Sequence, residues 1–165
     1  MSQTSFDRDG FRQALGHFAT GVTVVTALED GEPVGFTCQA FFSLSLEPPL
    51  VALAAAKSST SWPRIARSGA FCVNVLGEEQ AAVGRTFAVS AAATDDKFAD
   101  VAWHPGVLGA PVLECCLAWV ECEVGIVHDA GDHELVTGRV VDLGIGSGGP
   151  LLFYRGTYRR LEAHD

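Results

Sequence analysis

What most constrains this fold is that its β-branched runs are cut short by turn signals before any reaches helical length. "TGVTVVTALEDGEP" is a run of Val and Thr stopped at Asp30-Gly31. "VGFTCQAFFSLSL" follows at once, so the two read as a hairpin of two strands. "PLVALAAA", after Pro48-Pro49, is a short buried strand, and "AFCVNVL" alternates as a strand does. "LAWVECEVGIV" sets Ala118, Val120, Cys122 and Val124 against a wetter face of Trp119, Glu121 and Glu123. "ELVTGRVVDLGI" and "LLFYRGTYRRL" each read as one further strand. Helical spacing is confined to short pieces. "FDRDGFRQALGHF" places Phe11, Leu15 and Phe18 on one face with Asp7 or Asp9 as cap. "SSTSWPRIARSG" offers hydroxyls for the N-cap, Pro63 in the first turn and Gly69 as the stop. "EEQAAVGRTFA" is helical in pattern, with Gly84 as its weak point, and residues 90–111 read as a loop. About seven strands joined by turns, with no repeat and no linker, predict a mainly β chain with short helices. The expected architecture is a closed antiparallel barrel formed as one domain over residues 1–165.

A chain of 165 residues, 48% hydrophobic, can bury a real core. A formal charge of −9 argues against a nucleic-acid partner or an anionic membrane surface, since phosphates repel it. "MSQTSFDRDG" has neither a basic end nor an apolar stretch of signal-peptide type, and no run approaches the roughly 18 apolar residues of a membrane helix. Cys38, Cys72, Cys115, Cys116 and Cys122 are odd in number, contain no CxxC pair and mostly sit in apolar segments. They read as reduced thiols of a cytoplasmic protein, not as a zinc site.

Four motifs bear on chemistry. "GIGSGG" has dinucleotide-fingerprint spacing, but "PLLFYRGTY" follows it as strand, and the fingerprint needs a helix there to meet the pyrophosphate. It reads as a loop. "AKSSTSWPRI" sets Lys57, Ser58, Ser59, Thr60 and Ser61 directly before a helix, where they can bind a phosphate or merely cap. Thr37, Gln39 and Ser43 fall at even spacing and would share one face of a regular strand, meeting either solvent or a planar, heteroatom-rich ligand such as a flavin ring. "HDAGDHELVTGRV" offers His128 and His133 without an obvious third metal ligand, and no nucleophile elbow stands near. Its plain reading is a hairpin turn carrying Gly131-Asp132, with His133 starting the next strand.

Taken in order, "GVTVVTA", "DGEPVGFTCQAFFSLSLEPPLV", "KSSTSW", "SGAFCVNVL", "DKF", "GAPVLE", "GDH" and "PLLFYRGTY" resemble the short-chain flavin reductases. These are the reductase components of two-component flavin-dependent monooxygenases, and the likeness is strongest to actinobacterial members serving aromatic and steroid-ring hydroxylases. The resemblance runs from Phe11 to Tyr158. It implies a split β-barrel, a homodimer, and FMN or FAD bound near the subunit interface. Carried over by position, Gly35, Phe36, Thr37, Cys38, Gln39, Ala40 and Ser43 would meet the isoalloxazine and ribityl parts. Ala54, Ala55, Ala56, Lys57, Ser58, Ser59, Thr60 and Ser61 would surround the phosphate. Arg85 and Phe87 match a basic-aromatic segment, although Thr86 stands where relatives often carry Arg. The nicotinamide nucleotide would meet His128, Gly131, Asp132, His133, Phe153, Tyr154, Arg155 and Gly156, with His133 the catalytic-site residue. NADH is expected over NADPH, because the chain is acidic and lacks a basic cluster for a 2′-phosphate. The implied activity is NAD(P)H:flavin oxidoreductase, supplying reduced flavin to a partner monooxygenase. The alternatives are a flavin- or haem-binding split-barrel protein without turnover, and a structural hydroxylase subunit.

Overall fold

The structure, a computed structural model, describes residues 5–90 and 96–162. In chain order its elements are α1 (Arg8–Leu15), β1 (Thr20–Gly21), β2 (Thr23–Glu29), β3 (Glu32–Cys38), β4 (Phe41–Leu46), β5 (Pro49–Ala56), α2 (Trp62–Ser68) and β6 (Ala70–Val75). A 3₁₀ turn (Glu78–Gln80) leads into α3 (Ala81–Ala88). Then come β7 (Trp103–Pro105), β8 (Pro111–Leu113), β9 (Ala118–Ala130), β10 (His133–Ile145), β11 (Leu152–Tyr154) and β12 (Thr157–Arg159).

Seven strands form one antiparallel sheet in the order β3-β2-β6-β9-β10-β5-β4. Its two edge strands are consecutive in sequence, so the sheet curls until β3 hands over to β4 through Gln39 and Ala40 alone. That seam makes the barrel. Ala40 O accepts from Ala54 N at 2.9 Å, which ties the seam to β5. The sheet is thus a split β-barrel.

β2 is buried on both faces, as its unbroken Val-rich stretch allows. Val25 and Ala27 join Leu53, Phe71, Cys122 and Val136, closed off by Trp62 and Ile65 of α2. Val22 and Val24 join a second cluster with Leu76, Phe87, Phe98 and Leu151. The hairpin expected at Asp30-Gly31 forms, with φ of +52° and +82° at the two turn positions. That is the primed turn whose twist suits adjoining strands.

Several expectations are corrected. Residues 34–46 do not form one strand: the seam at Gln39 and Ala40 breaks the run, so Thr37, Gln39 and Ser43 share no regular face. Residues 90–111 are not all loop, because Trp103–Pro105 pairs with Pro111–Leu113; residues 91–95 lie outside the described residues. "LLFYRGTYRRL" is a hairpin turning at Arg155 and Gly156, not one strand. Glu121, expected on a wet face, is fully buried: its Oε1 accepts from Leu108 N at 2.9 Å and Ala110 N at 3.1 Å. The helix expected at "EEQAAVGRTFA" forms, with Gly84 inside α3. This glycine lies against Tyr158, where a Cβ would come within 2.9 Å of the hydroxyl.

α1 forms as its spacing requires, with Asp7 as the cap that accepts from Gly10 N at 2.8 Å. Its apolar stripe is nevertheless uncovered, and Phe11, Leu15 and Phe18 are exposed together with Phe42, Leu44 and Leu46 of β4 and its end. Among the described residues, no helix is long and apolar enough to cross a membrane, and no three His, Cys, Asp or Glu side chains gather as a metal ion needs. All five cysteines are free, and four are buried. Burial pushes Cys38 up to about 11 and Cys122 up to about 12, so neither is a thiolate near neutrality.

Candidate active site

The site is built where β5, β10 and β9 lie side by side. His133 is paired with Ala56 on one side and Ala130 on the other; Leu135 is paired with Ala54 and His128. Directly paired residues, and residues two apart on one strand, share a face. Ala54, Ala56, His133, Leu135, His128 and Ala130 therefore form one surface. The two alanines leave a shallow, flat floor beside the imidazole, a shape suited to a planar ring.

β9 and β10 meet in a two-residue turn of Gly131 and Asp132, as read from sequence. Gly131 sits at φ +75°, which a side chain would strain. The turn is held to the segment after β5 by two contacts: Lys57 N donates to Asp132 O at 3.0 Å, and the Lys57 ammonium meets Asp129 Oδ2 at 2.5 Å. Within the turn, Asp132 Oδ1 lies 2.7 Å from His133 Nδ1. The hydrogen bond from Lys57, then its charge, holds Asp129 below the usual carboxylate range; His133 does the same for Asp132. His133 remains half-exposed, with its ring fixed through Nδ1 and its outer edge accessible.

The 58–61 loop departs from the sequence picture in one respect. Ser61 occupies the N-cap position without a side-chain cap bond, while Ser59 Oγ accepts from Trp62 N at 3.1 Å. Ser59 therefore caps α2, and with Ser58, Thr60 and Ser61 it also borders a cavity of 260 Å³ shared with Thr37 and Phe87. α2 has only seven residues, so hydroxyls and side chains, more than a helix dipole, shape this cavity. Thr37 Oγ1 donates to Gly84 O at 2.6 Å, so its partner is protein.

The same cavity contains a residue that sequence reasoning did not assign. Lys97, within the "DKF" motif, is only 9% exposed. Its Nζ donates to Gly35 O at 3.3 Å and Phe87 O at 3.2 Å. Burial lowers its pKa from the ordinary lysine value. Arg85, expected beside this loop, is elsewhere. Two residues before Phe87 on α3, it points to the other side of the helix, with its guanidinium 5.7 Å from the centre of the Tyr158 ring. It borders a separate cavity with Glu78 and Arg159.

A larger apolar cavity of 1040 Å³ lies beyond the seam. α1, Phe18, Gln39, Ala40, Phe41, Phe42, Phe153, Arg155 and Gly156 line it. Thr20 also lines it, and the buried Thr20 Oγ1 has no hydrogen-bond partner among the described residues. The residues expected around the nicotinamide thus divide. His128, Gly131, Asp132 and His133 stand at the hairpin tip. Phe153, Arg155 and Gly156 stand at the large cavity, and Tyr154 packs edge-on to His17. Ser43 is exposed on β4, next to neither tip nor 58–61 loop.

Comparison with known proteins places this geometry in context. The model of the flavin reductase like domain matches residues 15–162. The chain is 50% identical over 163 residues to the reductase subunit HsaB of a flavin-dependent monooxygenase from Rhodococcus jostii, covering 98% of this chain and 82% of that one. Nitrilotriacetate monooxygenase component B of Mycobacterium thermoresistibile superposes with a TM-score of 0.90 at 46% identity, over 94% of this chain and 87% of the other. An NADH:FAD oxidoreductase of Streptomyces globisporus, solved with NAD and FAD fragments, gives a TM-score of 0.88 at 35% identity, over 94% and 93%.

Proposed function

This chain belongs to the flavin reductase like domain family, and we propose that it is an NAD(P)H:flavin oxidoreductase that supplies reduced FMN or FAD to a partner monooxygenase. The observation that carries the reading is the junction at Lys57, which binds a hydroxyl-rich loop, a flat alanine floor and an imidazole-bearing turn into one rigid corner. A flavin fits what is present: a planar ring needs the floor of Ala54 and Ala56, and a ribityl phosphate needs the hydroxyls of the 58–61 loop. A flavin held there would supply the redox chemistry, as the ring to which hydride from the nicotinamide nucleotide can pass. The chain's own residues bind and orient. The turn of Gly131, Asp132 and His133 fixes the nicotinamide over the floor, with Asp132 holding the imidazole in one orientation. NADH is the preferred donor, since Lys57, the lysine bonded to the turn, is already engaged by Asp129.

We further propose that the chain works as a homodimer in the cytoplasm, the whole of it serving as one reductase unit. The bare apolar surface of Phe11, Leu15, Phe18 and Phe42 around the large cavity supports a second copy as its cover. The five unpaired cysteines suit a reducing compartment.

The purified protein should oxidise NADH only when FMN or FAD is present, followed as loss of nicotinamide absorbance with light scattering of the same sample. Absence of turnover with either flavin would leave a binding protein; NADH oxidation without flavin would overturn the reading altogether.

The loop itself is tested by replacing Ser59 and Ser61 together with Ala. Hydrogen bonds to a charged phosphate contribute about 1.5 to 3 kcal/mol each, so flavin affinity should fall at least about tenfold. Loss of the Ser59 cap should cost only about 1 kcal/mol of stability. An unchanged flavin dissociation constant with a lower melting temperature would reduce these residues to capping.

A further inference from the structure

We propose that Cys115 and Cys116 form a thiol-modification site that reacts with a hydroperoxide: hydrogen peroxide joins the two neighbouring side chains in a reversible disulfide. The pair lies in the turn between β8 and β9, away from the corner built around Lys57. It stands independently of the flavin reading, which bears only on where the oxidant arises: reduced flavin that meets dioxygen yields hydrogen peroxide.

Cys38, Cys72 and Cys122 are buried in β3, β6 and β9. Cys115 is the one exposed thiol among the described residues, and Cys116 beside it is 8% exposed. Cys115 also sits at φ +62°, in the left-handed region that glycine fills without cost. A side chain held there stores strain, and strain of this kind gathers at sites that react or switch. The turn is anchored on both flanks. Glu114 N donates to Ala102 O at 3.0 Å, and Glu114 O accepts from Gln80 Nε2 at 2.9 Å. Leu117 N donates to Val75 O at 2.8 Å, and Leu117 O accepts from Gly146 N at 2.6 Å. Among the described residues, Cys115 O accepts no backbone hydrogen bond. The peptide plane between the two cysteines can therefore rotate as a ring closes, while the flanks stay in place. Burial, and after it the nearby Cys115 and Glu114, raise the Cys116 thiol above the ordinary cysteine value. That leaves the exposed Cys115 as the first point of attack and Cys116 as the group that resolves it.

In the first step Cys115 Sγ attacks one peroxide oxygen. An S–O bond forms, the O–O bond breaks, and the other oxygen leaves as water with the thiol proton, so that the sulfur is oxidised to a sulfenic acid. Cys116 Sγ then attacks Cys115 Sγ. The S–S bond forms, the S–O bond breaks, and the hydroxyl leaves as water with the Cys116 proton. One peroxide and two thiols give one disulfide and two waters. The peptide bond between the two residues is trans, which sets their Cα atoms about 3.8 Å apart, closer than the roughly 4.4 to 6.8 Å of ordinary disulfides. The bond is therefore strained and easily reduced, as a transient modification requires and a structural bridge does not.

The test uses the wild-type protein, treated with one equivalent of hydrogen peroxide, then unfolded and alkylated. Five thiols are alkylated before treatment, and the number should fall by two. Cleavage after Glu114 and Glu121 releases residues 115–121, whose only thiols are Cys115 and Cys116. That peptide should emerge unalkylated and lighter by two hydrogens, and dithiothreitol should restore both thiols. Cys116→Ser should stop the reaction at the sulfenic acid of Cys115, read as its adduct with dimedone. Cys115→Ser should keep all its remaining thiols at the same dose. A wild-type protein that retains five thiols, one that loses them through links between two molecules, or one that carries a sulfinic acid at Cys115 beside an alkylated Cys116 would overturn the proposal. None of these measurements uses NADH or flavin, so an unreactive pair leaves the flavin reading untouched, and absence of flavin turnover leaves the thiol site untouched.

Discussion

Replacing His133 by alanine should lower kcat/KM for NADH by about five- to a hundredfold and leave flavin affinity nearly intact. The expectation follows from a division of labour visible in the strand register. His133 stands opposite Ala56, at the rim of the flat floor, while the 58–61 loop lies beyond it along the chain. The imidazole is half-exposed, its Nδ1 is held by Asp132, and its free edge is presented to whatever stacks above the floor. Losing one positioning contact costs roughly 1 to 2.7 kcal/mol of transition-state stabilisation. Stopped-flow reduction of bound flavin separates the outcomes. Slower reduction at saturating flavin is the expected result. A flavin dissociation constant that rises in step with the loss of NADH efficiency would put His133 in the flavin subsite, and unchanged kinetics would make the stretch an ordinary hairpin. Asp132→Asn should give a milder form of the same defect, because it weakens the hold on the ring without removing it.

Glu121→Ala should destabilise the fold by about 2 to 4 kcal/mol without touching the redox site. Glu121 is fully buried on β9, and its Oε1 receives the amides of Leu108 and Ala110. These bonds, with the bond from Gly106 N to Ala110 O, fold residues 106–110 down onto the sheet. Alanine would strand both amides away from a partner and leave a space where the carboxyl was. Gly106 shows how closely this is fitted, since a Cβ there would run into the Glu121 carboxyl. Urea denaturation monitored by Trp fluorescence measures the loss; a change below about 0.5 kcal/mol, the range of ordinary surface substitutions, would show that the loop is held by other means. The variant's flavin affinity should be close to that of the wild type, which separates this residue from the site.

Turns were the most legible part of the chain. Asp30-Gly31 and Gly131-Asp132 both form where expected, because the chemistry that makes them is local: a residue that tolerates positive φ between two β-branched runs. The seam was not legible. Gln39 and Ala40 suit a strand as well as their neighbours do, and the break arises only because the sheet must curl far enough to close on itself. Glu121 and Thr37 misled for a related reason. A polar residue alternating with apolar ones reads as facing water, but here each faces a polar backbone group delivered by a distant segment: two amides of the 106–110 loop for Glu121, a carbonyl of α3 for Thr37. The candidate site was legible as a set of segments through family resemblance, yet its internal grouping was not. Which side of α3 Arg85 takes depends on Tyr158 arriving from the far end of the chain. The burial of Lys97 likewise depends on carbonyls at Gly35 and Phe87. α1 gives the opposite case: its apolar stripe was read correctly, but no segment among the described residues covers it.

Lys57 is bonded in two directions, through its amide to Asp132 O and through its ammonium to Asp129, while its own chain continues directly into the 58–61 loop. The loop and the turn therefore cannot be displaced independently. On the proposed assignment, a flavin phosphate that orders the loop would also order the turn, and a nicotinamide docked on the turn would order the loop. Such coupling is reciprocal at equilibrium: the factor by which flavin changes the affinity for NADH equals the factor by which NADH changes the affinity for flavin. On the proposed assignment, one lysine makes the grip on each ligand depend on the other.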